Sequence, residues 1–178
     1  GHWRQGLNMD FLPAVLPRAR AVLVQENPCL PLLPGAPPLD PAFITAVIAD
    51  GTALPELAAP VSDAASKAIG ARVAARVPDG ACLQTGIGAV PAAILNGLTD
   101  KNDLGFHGGL IDDGVVALAQ NGNLTSARKP IDTGLHVSGM ALGTAAMHDY
   151  LTEAADFVFR GAATTLYSYS AMSAPIPI

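Results

Sequence analysis

Residues 81–98, ACLQTGIGAVPAAILNGL, decide the fold class of this chain. The short apolar run Ala81-Cys82-Leu83 follows the turn signal Pro78-Asp79-Gly80. It breaks at Gly86-Ile87-Gly88 and resumes after Pro91 as a helical segment ending near Leu98. That order is strand, glycine turn, helix, with proline where a first helical turn tolerates it. In an open α/β sheet such a turn sits at the carboxyl end of a strand, where ligands bind. Two glycines let the backbone approach a ligand closely, and the free N–H groups of a new helix point at developing negative charge. The stretch therefore suits an anion or an oxyanion, without saying which.

Working outward, comparable units recur without being a sequence repeat. Strands are expected at 81–84, 103–106, 135–138 and 157–159, and helices at 91–98, 114–120, 143–151 and about 165–172. Glycines stand between several of these pairs: Gly86/Gly88, Gly108/Gly109 and Gly139/Gly143. Alternating β and α segments predict an α/β fold, an open and mostly parallel sheet with helices on both faces. Upstream, Ser62–Val77 reads as the clearest helix, with Ser62 as N-cap and Ala65, Ile69, Val73 and Val77 as its apolar face. Ala21–Gln25 is a compact β-like run, expected to be buried on both faces as a parallel strand. Asn27–Pro41 carries six prolines and reads as an extended connector. Phe43–Ala49 suits a strand or a short helix equally. Glycine and proline punctuate 50–60, where a domain junction is placed. Ile176-Pro177-Ile178 looks like the start of another strand.

Composition narrows the classes further. Of 178 residues, 50% are hydrophobic and 14% charged, enough apolar material for a sizeable core and too little charge for disorder. Aromatics make up 5% and the net charge is −5 with scattered basic residues, which argues against a nucleic-acid surface. Cys29 and Cys82 have no metal-ligand spacing. A single disulfide between them stays open, but a reduced, cytoplasmic protein is the better reading. No charged segment followed by an apolar core opens the chain, and no apolar run approaches the length of a membrane span.

Several blocks, in order, resemble the acetyl-CoA hydrolase/transferase family, which includes 4-hydroxybutyrate CoA-transferases. Gln25-Glu26-Asn27-Pro28-Cys29-Leu30-Pro31, with Gly35 after it, resembles the family's E-x-N-P-x-x-P…G segment, and Leu54-Pro55-Glu56 its P-L-x-E segment. Gly80 to Pro91 closely resembles its D-G-A-x-L-Q-x-G-I-G-x-I-P block. Leu104-Gly105-Phe106-His107 followed by Asp113-Gly114-Val115 resembles its L-G-x-H-x-E…S-D-G segment, and Leu142-Gly143 with Tyr150-Leu151 fits the next glycine–helix unit. Where many members carry Ser/Thr-Glu after the histidine, this chain has Gly108-Gly109. The resemblance covers nearly the whole chain. It implies two similar α/β domains, with residues 1–57 as the end of the first and its connector, and 58–178 as the start of the second.

The same resemblance implies acyl-CoA chemistry. A glutamate attacks the thioester, giving an acyl-glutamyl anhydride and CoA thiolate, and CoA passes on to a carboxylic acid or water intervenes. In the family that glutamate lies in an N-S-A-x-E-V-D segment following the strand that Ile176–Ile178 would begin. The chain is therefore expected to be a fragment, inactive alone, with no catalytic residue of its own. Substrate-facing or CoA-facing residues are expected at Gly86, Ile87, Gly88, His107 and Gly108. The implied partners are an acyl-CoA, a small carboxylic acid and further copies in a homo-oligomer. CoA is substrate, with no cofactor and no metal.

Each residue also has a structural reading. Gly86-Ile87-Gly88 can be a tight turn alone; as a dinucleotide turn it lacks the third glycine, Pro91 standing there. His107 can be hydrogen-bonded for structure, and His2, His136 and His148 have no partner spacing. Asp112-Asp113 reads as a helix cap before an acid–base pair. Cys82 reads as a small buried hydrophobe. Arg160 suits a CoA phosphate or solvent. A non-catalytic acyl-CoA or nucleotide-binding module is the main rival function, and a nicotinamide oxidoreductase a weaker third.

Overall fold

The computed structural model describes residues 3–57 and 60–165. The expected helix at 165–172, the strand at 176–178 and His2 lie wholly or almost wholly outside them. Two all-parallel sheets carry the fold. A short helix α1 (Leu12–Val15) precedes β1 (Leu23–Glu26) and β2 (Ala46–Ala49), which pair from Leu23↔Ala46 to Glu26↔Ala49. The residues Phe43–Ala49 thus split, ending a one-turn helix at Pro41–Phe43 before the strand begins. Contrary to expectation, this small sheet is not buried: Leu23 is 69% and Ile48 61% exposed. No helix among the described residues covers it, and of β1 only Val24 is half-buried.

The second sheet is buried. After α2 (Ala64–Ala74) come β3 (Cys82–Leu83), α3 (Ala89–Asn96), β4 (Gly105–Gly108), α4 (Asp113–Gln120), β5 (His136–Ser138), α5 (Ala145–Glu153), β6 (Phe157–Phe159) and α6 (Ala162–Thr165). The strands lie side by side in chain order, β3-β4-β5-β6. Strand alternating with helix is the α/β class expected from the sequence, with boundaries moved by one or two residues. Phe106, Phe157 and Phe159 pack with Leu83, Leu95, Leu118 and Leu151 in one core. Met9, Leu33 and Ala36 join it from the N-terminal segment and the proline-rich connector. Backbone bonds seat both pieces: Met9 N–H donates to Gly139 O at 2.8 Å and Phe159 N–H to Pro34 O at 2.8 Å.

Helix α2 differs from its expected form in two ways. Asp63, not Ser62, caps it, accepting from Ser66 N–H at 2.8 Å. Its buried face is Ser66, Gly70 and Ala74, while Ile69 is 45% exposed. The cause is closeness to α3: a Cβ on Gly70 would lie 2.7 Å from the Ala93 carbonyl carbon. At that separation only the smallest side chains fit, so size overrides hydropathy in choosing the face.

Candidate functional site

The parallel register Cys82↔Gly105 and Leu83↔Phe106 brings the carboxyl ends of β3 and β4 to one edge of the sheet. The turn 84–88 leaves β3 there, and Gly108 ends β4 beside it, packed against Gln84 and Phe106. Gly88 enters α3 at φ +131°, a conformation that L side chains rarely adopt. No side chain caps α3, whereas Asp63, Asp112 and Thr144 cap α2, α4 and α5. No described residue accepts from the backbone N–H of Ala89 or Val90. Pro91 has no N–H to give. Among the described residues the start of α3 thus offers two unbonded donors and the positive end of its dipole.

A cavity of about 230 Å³ opens beside Gly88. Ile87, Ala92 and Asn96 form one wall, and Leu110, Gly114 and Ala117 the other. Leu57, Pro60 and Leu142 close it, with Asp112 and Asp113 at the head of α4. Both carboxylates are engaged. Asp112 accepts from Val115 N–H at 3.1 Å. Burial pushes the Asp112 carboxyl above its usual range, and the Val115 and Gly114 bonds pull it back. Asp113 accepts from Thr144 Oγ at 2.5 Å and Thr144 N–H at 3.1 Å, tying the starts of α4 and α5 together.

The sequence candidates therefore separate. Gly86, Ile87, Gly88, His107 and Gly108 share the carboxyl edge, but only Ile87 and Gly88 line this cavity. His107 is 4% exposed and lies 3.0 Å from Thr164 O through Nε2, so Nε2 carries the proton. Its Nδ1 is buried with no partner among the described residues. Burial pushes the imidazole pKa down, opposed by the Thr164 bond, so the ring is neutral at pH 7. Nearby, Asp10 Oδ1 and Thr165 Oγ are likewise buried with no partner among the described residues, and both lie against Gly139. Sequence reading missed Leu57, Asn96, Asp10 and Thr165, which come from distant segments and carry no local signal.

Other groups are accounted for structurally. Arg160 makes a two-pronged bridge to Asp132, at 3.0 and 2.9 Å, which removes it as a free phosphate ligand. Cys82 is buried, and burial pushes its thiol pKa up, leaving it an inert hydrophobe. Lys129 is buried where β4 and β5 diverge and donates to Phe106 O and Leu135 O.

Ser126, His136 and Asp156 make a serine–histidine–aspartate row, with Ser126 Oγ 2.7 Å from His136 Nδ1, the nitrogen that in a catalytic triad faces the carboxylate. His136 Nε2 is 3.3 Å from Asp156 Oδ2 but outside hydrogen-bond geometry. Ser126 and His136 are both fully buried, so no substrate reaches them. Burial pushes His136 down to about 4 against the opposing pull of Asp156, so the ring is neutral and the contact is no ion pair at pH 7. Among the described residues no group of His, Cys, Asp and Glu is placed to hold a metal ion, and no helix is long and apolar enough to cross a membrane.

No family model matches the chain. It is 31% identical over 153 residues to a succinyl-CoA:cyclohexane-1-carboxylate CoA transferase of Geobacter metallireducens, covering 86% of this chain and 35% of that protein. It is 31% identical over 151 residues to a 4-hydroxybutyrate coenzyme A transferase of Clostridium kluyveri, covering 85% and 35%. The crystal structure of RipA from Yersinia pestis superposes with a TM-score of 0.89 at 28% identity, over 98% of this chain and 41% of that one. The chain thus spans about a third of the length of the curated relatives it matches.

Proposed function

Because the chain belongs, over the stretch it shares with its relatives, to the CoA-transferase family, we propose that it forms the thioester-receiving part of an acyl-CoA:carboxylate CoA-transferase. The observation that carries this reading is the uncapped start of α3 at Gly88, opening on an apolar cavity. Attack on a thioester puts negative charge on the carbonyl oxygen, and preorganised N–H donors stabilise that charge. Ala89 and Val90 N–H supply such donors. The carboxylate nucleophile forms a bond to the acyl carbon, and the C–S bond breaks to release CoA thiolate. In transfer the thiolate attacks the glutamyl carbonyl of the anhydride, releasing the first acyl group as its carboxylate and leaving a glutamyl–CoA thioester. The acceptor carboxylate attacks that thioester to form a new anhydride, and the released thiolate takes the acceptor acyl group as acyl-CoA and frees the glutamate. In hydrolysis water takes the acyl group from the first anhydride. CoA enters as part of the substrate, and no metal or cofactor has a role.

The activity belongs to a protein carrying this stretch together with the attacking glutamate. Glu26 ends β1, Glu56 lies in the connector after β2 and Glu153 ends α5, so none of the three lines the cavity beside Gly88. We keep residues 1–57 as the end of one domain and 58–178 as the start of the next, the first lending Met9, Leu33 and Ala36 to the core of the second. Free thiols at Cys29 and Cys82 fit a reduced, cytoplasmic protein. The exposed Leu23 and Ile48 of the small sheet fit assembly into a homo-oligomer.

The test has two arms. Calorimetry with propionyl-CoA and with NAD is expected to give binding of the thioester alone. Loss of propionyl-CoA, with and without acetate, is then followed for this chain and for one extended through the next domain. Transfer is expected in the extended chain only. Thioester binding without turnover in either favours a binding module, and turnover in the short chain requires another catalytic residue, with His107 the first to replace.

A further inference from the structure

We propose that a second cavity, at the carboxyl end of β1, binds a small apolar α-amino acid as its zwitterion, with Arg4 receiving the carboxylate and Glu26 the ammonium group. This goes beyond the thioester reading and does not rest on it. The cavity holds about 190 Å³ and shares no lining residue with the one beside Gly88. The end of β1 lines it, together with Leu30, Pro31 and the N-terminal residues Trp3, Arg4 and Gln5. Carboxyl ends of parallel strands are where open α/β sheets take ligands. The space falls below the ~300–1,000 Å³ of drug-sized ligands, so it suits a small molecule.

Two polar side chains at this cavity are committed to the fold: Gln25 Nε2 donates to Asp50 Oδ2 at 2.6 Å, and Asn27 Nδ2 to Thr52 O at 2.7 Å. Three are not. Gln5 is 8% exposed, and its Oε1 is buried with no partner among the described residues. Arg4 gives one N–H to Ala36 O at 3.1 Å, and no carboxylate among the described residues pairs with it. Glu26 accepts at Oε1 from Trp3 Nε1 at 3.2 Å, and its Oε2 has no partner among the described residues. One cation and one anion thus line the same small space without pairing to each other. Such a pair is complementary to a ligand carrying both charges. A carboxylic acid alone meets the like charge of Glu26, and an amine alone that of Arg4. A zwitterion answers both with charge-assisted bonds, and it offers the Gln5 amide a donor and an acceptor. Val24, Leu30 and Pro31 leave an apolar surface for its side chain.

Trp3 is the only tryptophan of the chain and lines the cavity, so its fluorescence and its indole N–H resonance report occupancy. The protein is titrated at neutral pH with L-alanine, L-valine, propionate and ethylamine, as wild type, Arg4→Gln, Glu26→Gln and Arg72→Gln, with circular dichroism checking each fold. Saturable binding is expected for both amino acids, and propionate and ethylamine are expected to bind at least about tenfold more weakly than alanine. Arg4→Gln and Glu26→Gln should each weaken alanine about tenfold or more. Arg72→Gln, the same loss of charge at an exposed position on α2, should leave it unchanged. In Glu26→Gln the like charge is gone, and propionate should draw level with alanine; if Arg4→Gln does not fold, this variant decides alone. Propionate binding the wild type as tightly as alanine would make the cavity a carboxylate site and overturn the proposal. Alanine binding that Glu26→Gln does not weaken, or no saturable binding of either amino acid, would also overturn it. The thioester reading stands apart from each of these outcomes.

Discussion

Helices α3 and α4 begin on facing walls of one cavity, and they begin in opposite ways. At α4 the chain supplies its own anions: Asp112 occupies the Val115 N–H and Asp113 reaches across to Thr144. At α3 it supplies none, and Gly88, at φ +131°, leaves the donors of Ala89 and Val90 open. A side-chain cap is worth about 1 kcal/mol, so α3 forgoes stability that its neighbours take. A filled helix start holds structure and repels further negative charge; an open one can receive it. Both sit at the carboxyl edge of the same sheet, so the difference lies in the capping residue and not in the fold.

The contrast breaks most readily at Gly88. In an active protein carrying this stretch, Gly88→Val is expected to lower kcat by about 100- to 1,000-fold, the usual cost of losing one oxyanion donor. Circular dichroism should show the fold retained. Near-normal turnover would reduce the open start of α3 to a tight turn.

Acid separates the helix starts from the sheet behind them. His136 is held neutral by burial at about 4, against an ordinary 6.5 when unfolded. The unfolded chain therefore binds the extra proton between those values. Stability is full above about pH 6.5 and falls as pH drops toward 4, by about 3 kcal/mol in all. Urea unfolding across this range should show the loss, and His136→Gln should flatten it. Asp112 contributes nothing to that loss, because burial raises its pKa and its protonation favours the folded state. A loss that persists in His136→Gln would place the acid-sensitive group elsewhere.

Asp113→Asn weakens the tie between α4 and α5 and is expected to cost about 2 kcal/mol in urea unfolding. A double-mutant cycle with Thr144→Ala should show strong coupling; additive losses would mean that the tie carries no energy. The smallest effect is expected at Asp112→Ala, about 1 kcal/mol of stability, read from the same unfolding curves. A loss as large as that at Asp113 would mean that Asp112 does more than cap its helix.

The strand–glycine–helix order was legible because each unit after Ser62 carries its own punctuation, and the parallel sheet follows from it. The open start of α3 was legible too, since Gly88 and Pro91 leave no capping side chain. The packed face of α2 was not. Its hydropathy repeat marks Ile69 and Val73, but Ala93 approaches so closely that Gly70 is the residue that fits. The small sheet was misjudged for a related reason: the apolar pattern of β1 is compatible with burial on both faces, but only Val24 is half-buried, and no helix among the described residues covers the sheet. The cavity was the least legible part. Leu57, Asn96, Asp113 and Leu142 meet only after the chain folds, and none carries a local sign of the others.

The most direct test of the open helix start is amide NMR of this chain with butyryl-CoA. At saturation, the backbone amide resonances of Ala89 and Val90 are expected to shift downfield more than those at the capped start of α4, Asp113 and Gly114, as the carbonyl oxygen accepts from them. Binding that leaves Ala89 and Val90 in place while moving resonances elsewhere would contradict the assignment of α3 as the thioester-receiving element.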